Sequence, residues 1–151
     1  MKGGQWLLLA VVAILALTGG GLLVSSLPAG SVPPIVQQFA DAIAQAEGFY
    51  VSGSVPNRKN NPGDIESSGQ IIQYPTVNDG WQALYNQVYL MFYGGSAHYN
   101  PSMSITEVAW IYADGADDPV GAQNWASNVA QALGVTTDTT LQNLLDGSAS
   151  T

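Results

Sequence analysis

The tetrapeptide Asn61-Pro62-Gly63-Asp64 constrains the fold of this chain more than any other stretch. Proline lacks an N–H donor and fixes φ, glycine permits positive φ, and asparagine and aspartate hydrogen-bond to nearby backbone in turns. The tetrapeptide therefore cannot lie inside a helix or a strand, and it predicts a tight turn. The residues before it and after it must form separate elements.

An amphipathic helix is predicted before the turn. Ile35, Phe39, Ile43 and Ala46 fall on one face at helical spacing. Gly48 suits the position that follows a helix C-terminus, because glycine adopts the left-handed conformation without strain.

Glu47 is placed by this pattern in the last turn of the helix, beside the apolar stripe. The helix dipole and burial against Phe39, Phe49 or Tyr50 both disfavour the charged carboxylate. We therefore expect the pKa of Glu47 to be raised, which suits a general acid near neutral pH. A solvated carboxylate, or one paired with Arg58, is the alternative.

The chain after the turn is predicted to form a small hairpin and then helices. Residues 64–66 and 70–74 flank a Ser-Ser-Gly sequence, which is typical of a hairpin, whereas residues 51–61 are expected to be an irregular loop. The predicted helices open at the following capping residues: Asn78 or Asp79, Ser104, Asp118, and Thr137 or Asp138. The expected fold class is α+β and mostly α, with one small β-hairpin.

Composition excludes several classes of function. The chain of 151 residues has no cysteine, so disulfides and cysteine-ligated zinc are impossible. The formal net charge is −8, and the only basic residues are Lys2, Arg58 and Lys59. Nucleic-acid binding requires several cations to neutralise phosphates, so we expect no nucleic-acid partner. We also expect no cofactor.

Residues 6–24 form an almost wholly apolar run. As a helix they would span roughly 28 Å, close to the thickness of a bilayer core. A retained transmembrane anchor is favoured, with a cleaved signal peptide or a buried core helix as alternatives. Lys2 would stay in the cytoplasm, so the domain would lie on the extracytoplasmic side, either anchored or secreted. The expected division is an anchor or signal segment at 1–26, a linker at 27–34, a domain at 35–146 and a tail at 147–151.

Four segments in order resemble a family of small phage and bacterial lysozyme-like domains. They are Glu47-Gly48, Arg58 to Asp64, Tyr74-Pro75-Thr76 and Asp79 to Leu84. The resemblance covers roughly residues 35–145. It implies the lysozyme-like fold and cleavage of peptidoglycan glycan strands, by a muramidase or a lytic transglycosylase, with Glu47 in the position of the catalytic acid. The membrane would then be that of a bacterial cell or of a phage virion.

Four further residues are candidates for binding the substrate. Arg58 can contact a carboxylate of muramic acid or of the stem peptide, and Asn61 and Asp64 can hydrogen-bond sugar hydroxyl or acetamido groups. Tyr112 can serve as a platform for a sugar ring, although packing in the core is the commoner role of such a residue. The alternatives are solvation of Arg58 or its pairing with nearby acids, and turn roles for Asn61 and Asp64.

A second catalytic carboxylate is left open by the sequence. Asp64, Glu66 and Asp79 are the candidates, and the acetamido group of the substrate can assist instead. His98 is the only histidine, which excludes a catalytic triad. The acids at 114, 117 and 118 do not have the spacing of a calcium loop, so no metal is expected. The rival function is a non-catalytic, membrane-anchored wall-binding or virion structural protein.

Overall fold

Helix α1 (Pro34–Ala46) opens the part of the chain described by the computed structural model, which covers residues 32–148. Proline is tolerated in the first turn because the N–H that it lacks would have no helical partner. Of the predicted apolar face, Phe39 and Ile43 are fully buried, whereas Ile35 and Ala46 are partly buried at its edge. Val36, which the prediction left out, is fully buried.

The C-terminus of α1 is closed by Glu47 and Gly48. Glu47 still has right-handed helical dihedrals, whereas Gly48 has a φ of +72°. The next amide, of Phe49, donates to the carbonyl oxygen of Ala44 at 2.9 Å. This left-handed closure confirms the predicted role of Gly48 and turns the chain away directly after the carboxylate.

A one-turn helix, α2 (Val55–Arg58), lies where the sequence predicted only an irregular loop. Its cap is Ser54, whose hydroxyl accepts from the amide of Asn57 at 3.3 Å. Pro56 occupies the first turn and is buried. The prediction was wrong because a single capped turn leaves no hydrophobic periodicity in the sequence.

The predicted hairpin consists of strands β1 (Glu66–Ser67) and β2 (Gln70–Ile71), paired antiparallel. Ser68 and Gly69 join the strands with φ values of +53° and +74°. Two consecutive positive φ values match the twist of a tight two-residue hairpin.

Four further helices follow the hairpin: α3 (Val77–Tyr93), α4 (Ile105–Tyr112), α5 (Pro119–Leu133) and α6 (Leu141–Asp146). The predicted caps of α4 and α5, Ser104 and Asp118, are confirmed by side-chain hydrogen bonds to backbone amides. The other two helices start elsewhere than predicted. Thr76 caps α3, with Asp79 as the third residue of its capping box, and Thr140 caps α6.

Helix α1 packs against both α5 and α3. Phe39 of α1 meets Phe92 of α3 edge-on, with ring centroids 5.2 Å apart. Helix α5 also packs against α4, and α6 packs against α3. The described chain is thus mostly helical with one small antiparallel sheet, as expected.

The apolar run at 6–24 lies outside the described residues. Of the helices between residues 32 and 148, none has the length and apolar character needed to cross a membrane.

Candidate functional site

Glu47 is partly buried at the end of α1, and its carboxyl Oε1 accepts a hydrogen bond from Nε1 of Trp125 at 2.7 Å. Burial raises the pKa of Glu47 from its ordinary value of 4.5 to about 7, although the bond from Trp125 opposes this rise. The charge of Asp64 raises it further. The raised pKa agrees with the sequence prediction.

Trp125 connects Glu47 to the Asn-Pro-Gly-Asp turn. Its ring stacks on Tyr112 with centroids 4.9 Å apart and an interplanar angle of 28°. The hydroxyl of Tyr112 donates to the carbonyl oxygen of Gly63 at 2.6 Å. A Cβ on Gly63 would lie 2.9 Å from that hydroxyl and 2.7 Å from Leu84, so the close approach requires glycine. Helices α4 and α5 thus join the turn to the end of α1.

Asn61 holds the turn against the hairpin. Its side chain is fully buried, and its Nδ2 donates to the carbonyl oxygens of Ile65 at 2.8 Å and Ile72 at 2.9 Å. Its Oδ1 accepts from the amide of Ile65 at 2.9 Å. With these bonds made, Asn61 shapes the site, and its side chain has little freedom to reach a sugar.

Asp64 has a strained backbone, with a φ of +47°, and its amide donates to the carbonyl oxygen of Asn61 at 3.1 Å. Its Oδ1 is enclosed, and no donor among the described residues reaches it. Burial and the charge of Glu66 raise the pKa of Asp64, whereas Lys59 lowers it. Strain and an unpartnered carboxylate oxygen in one residue are typical of functional sites.

Of the candidates for a second carboxylate, Asp64 is the one whose charge acts on Glu47. Asp79 is exposed and occupied by the capping box of α3, where its Oδ2 accepts from the backbone and hydroxyl of Thr76. Glu66 lies in β1 and acts on Asp64. Asp64 is therefore the candidate whose charge affects Glu47, whereas Asp79 has a structural role as part of a helix cap.

The two basic residues of the domain make internal contacts. Nζ of Lys59 donates to the carbonyl oxygen of Ile71 at 3.1 Å, which ties α2 to the hairpin. The guanidinium of Arg58 donates to the carbonyl oxygen of Gly53, and its side chain is exposed. Arg58 therefore remains the more accessible of the two for a substrate carboxylate.

The hydroxyl of Tyr112 is enclosed by ionisable groups. Burial raises its pKa well above the ordinary value, and Glu47, Tyr99, Asp64 and Tyr74 add to the rise. These residues come from five separate parts of the chain. Sequence reasoning missed Trp125 and Tyr99 as members of the site. The one available signal was that a buried indole N–H needs an acceptor.

Two shallow cavities, of about 300 Å³ and 500 Å³, open along the seam between α1 and α5. Both are bordered by Gln45 and Ala132, and neither is bordered by Glu47, Asp64 or Trp125. The candidate site at Glu47 is therefore defined by its contacts and its protonation. Between residues 32 and 148, no cluster of histidine and acidic side chains is suited to hold a metal.

Comparison with family models, with curated proteins and with solved structures found no match for this chain.

Proposed function

We propose that the domain cleaves the glycan strands of peptidoglycan, with Glu47 as the general acid. The observation that carries this proposal is the carboxyl of Glu47, which is held by Trp125 at 2.7 Å and has a pKa of about 7. A carboxyl of this acidity is protonated in about half of the molecules at neutral pH, so it can donate a proton to a leaving group. The substrate class is inferred from the resemblance of four ordered segments to lysozyme-like domains.

The reaction needs a proton donor for the leaving oxygen and an anion that stabilises the sugar cation. Glu47 gives its proton to the glycosidic oxygen as the bond from that oxygen to C1 breaks, and C1 takes on oxocarbenium character. Asp64 is the carboxylate whose charge acts on Glu47, and as an anion it stabilises the positive charge at C1. Asp64 lies on the Asn-Pro-Gly-Asp turn with a strained backbone. Tyr112 connects this turn to Trp125, because its hydroxyl bonds to Gly63 and its ring stacks on Trp125.

The product depends on which oxygen then reaches C1. Attack by water gives a reducing end, and the carboxylate of Glu47 takes up the proton of that water. Attack by the C6 hydroxyl of the same sugar gives an anhydro end, with the same return of the proton. Both outcomes regenerate the protonated acid, so muramidase and lytic transglycosylase chemistry fit the same residue.

Release of sugar ends from purified peptidoglycan tests the proposal. The full chain in detergent micelles is compared with Glu47→Gln, which keeps an acceptor for Trp125 and removes the acid. We expect the variant to lose at least about 100-fold in rate, the usual contribution of general acid catalysis. An inactive wild-type chain, or a variant as active as the wild type, would leave the non-catalytic wall-binding function as the better account.

We further propose that residues 6–24 anchor the domain to a membrane, on the extracytoplasmic side. The support is the length and apolar character of that run and the position of Lys2 before it. A tether compensates for weak attraction between an acidic domain and anionic wall polymers by raising the local concentration. Extraction with alkaline carbonate is the test: the protein is expected in the membrane pellet, and release into the supernatant would contradict the anchor.

A further inference from the structure

We propose that Trp125 is a positioning residue that determines which oxygen of Glu47 carries the proton given to the leaving group. This proposal rests on the proposed role of Glu47 as general acid. It goes beyond that role because it assigns the proton to one atom, Oε2, and assigns the cause to a residue 78 positions along the chain.

The chemistry of the indole group fixes the direction of the hydrogen bond to Glu47. Nε1 of Trp125 has a hydrogen to donate and no lone pair to accept with. It therefore contacts Oε1 of Glu47 as a donor in both protonation states of the carboxyl. A protonated carboxyl has one good acceptor, its carbonyl oxygen, and one hydroxyl. With Oε1 taken as the acceptor at 2.7 Å, the proton resides on Oε2.

The indole is itself fixed in place. Trp125 is only 5% exposed, and its ring stacks on Tyr112 with centroids 4.9 Å apart. Tyr112 is held in turn by its bond of 2.6 Å to the carbonyl oxygen of Gly63. The indole cannot rotate away from Glu47 without breaking these contacts. The orientation of the acid is therefore set from the Asn-Pro-Gly-Asp turn through two aromatic rings.

This arrangement gives Trp125 two effects on Glu47. Its hydrogen bond stabilises the anion and lowers the pKa of Glu47, which makes the acid slightly stronger. The same bond prevents the carboxyl from rotating and from placing its proton on the wrong oxygen. Loss of the bond should therefore raise the pKa of Glu47 and lower the turnover rate together, a combination that simple loss of packing would not produce.

The composition of the chain makes a direct measurement practical. It has three glutamates, Glu47, Glu66 and Glu107, so labelling their carboxyl carbons with ¹³C gives three signals to follow by NMR. The signal that disappears in Glu47→Gln belongs to Glu47. The variants to compare are Trp125→Phe, which keeps an aromatic ring against Tyr112, and Trp110→Phe, which replaces an exposed indole on α4 as the matched control.

We expect Trp125→Phe to raise the titration midpoint of Glu47 by about one pH unit, which is the usual effect of losing one charge-assisted hydrogen bond. We also expect kcat for glycan cleavage to fall about tenfold or more, because the acid is no longer held in one orientation. Trp110→Phe should change neither quantity. These measurements are made on the full chain in detergent micelles.

An unchanged midpoint in Trp125→Phe would overturn the proposal, and so would a shifted midpoint with an unchanged kcat. If that variant does not fold, the wild-type chain still decides the matter. One of its four indole N–H signals should shift with a midpoint near the pH at which Glu47 titrates, and this response should vanish in Glu47→Gln. Indole signals that are all independent of pH would contradict the bond. A wild-type chain that titrates as expected and cleaves no glycan would refute the proposed function, and with it the catalytic meaning of the bond.

Discussion

At the level of single residues, ionisation of Glu47 destabilises the folded state. Its pKa is about 7 in the folded chain and 4.5 as the ordinary value that applies when it is unfolded. The folded state therefore binds the proton more tightly. This contribution to stability is fully present below about pH 4.5 and is lost as the pH rises through about 7. This loss of stability at higher pH would serve no purpose if the role of Glu47 were purely structural.

Glu47→Gln should therefore stabilise the folded chain at alkaline pH. The amide keeps an acceptor for Trp125 and removes the buried charge. We expect a gain of about 1 to 3 kcal/mol in the free energy of unfolding at pH 8, and almost none at pH 4, since one pKa unit corresponds to about 1.4 kcal/mol and partial exposure reduces the effect. Urea unfolding at the two pH values measures it. Equal stability of the two proteins at pH 8 would contradict a buried acid.

The pKa of Glu107 is shifted in the opposite direction to that of Glu47. Glu107 is exposed, and it accepts hydrogen bonds from the backbone amide and the hydroxyl of Ser104. These bonds lower the pKa of Glu107. Its contribution is therefore present at neutral pH and is lost as the pH falls through its lowered pKa. We expect Glu107→Gln to be less stable than the wild type at pH 7, with the difference shrinking in acid. The same unfolding series measures this, and a gain in stability at pH 7 would be contrary to the capping role.

At the scale of elements, the turn and the hairpin depend on Asn61. Replacing Asn61 by alanine leaves the amide of Ile65 and the carbonyl of Ile72 without their partner, and it removes one of the two hydrogen bonds that the carbonyl of Ile65 accepts. The expected loss is about 2 to 4 kcal/mol in the free energy of unfolding. Asn124→Ala, at an exposed position of α5, is the matched control and should change stability by less than about 0.5 kcal/mol. Similar effects of the two substitutions would show that Asn61 does not hold the hairpin.

The contact between α3 and the loop before the turn depends on Gly80. A Cβ there would lie 1.8 Å from the carbonyl oxygen of Asn60, which is backbone and cannot move freely. We expect Gly80→Ala to destabilise the chain by about 3 kcal/mol or more, although alanine favours helices by about 1 kcal/mol over glycine.

Gly121→Ala is the comparison for this substitution, because the nearest atoms to its Cβ belong to the side chain of Asp118, the cap of α5. A side chain can rotate, so the expected loss is about 1 kcal/mol, the value of one cap. Thermal unfolding of both variants separates the two cases. A Gly80→Ala chain as stable as the wild type would mean that α3 does not approach the loop this closely.

Local signals in the sequence predicted the elements better than their starting points. The cap at Ser104 and the glycine that follows α1 gave correct boundaries, because each is a short-range pattern. The start of α3 was misplaced because Thr76, Asn78 and Asp79 are all suitable caps, and only the hydrogen bonds of the folded chain select Thr76.

At the scale of the whole molecule, the fold class and the position of Glu47 could be predicted, whereas the residues around it could not. The sequence predicted Tyr112 as a sugar platform or a core residue, and it did not predict that Trp125 belongs to the site. Periodicity shows that a side chain points inward, but it does not show which neighbour it meets. The bond between Glu47 and Trp125 joins residues 78 positions apart, so it depends on how α1, α4 and α5 pack together.

The role of Glu47 as proton donor is tested by the pH dependence of kcat/KM for the release of sugar ends by the full chain. A general acid must be protonated to act, so we expect the rate to fall about tenfold for each pH unit above the pKa of Glu47, which is about 7. The carboxyl titration of Glu47 should show the same midpoint. A rate that stays constant from about pH 6 to pH 9, while Glu47 titrates in that range, would contradict the assignment of Glu47 as the proton donor.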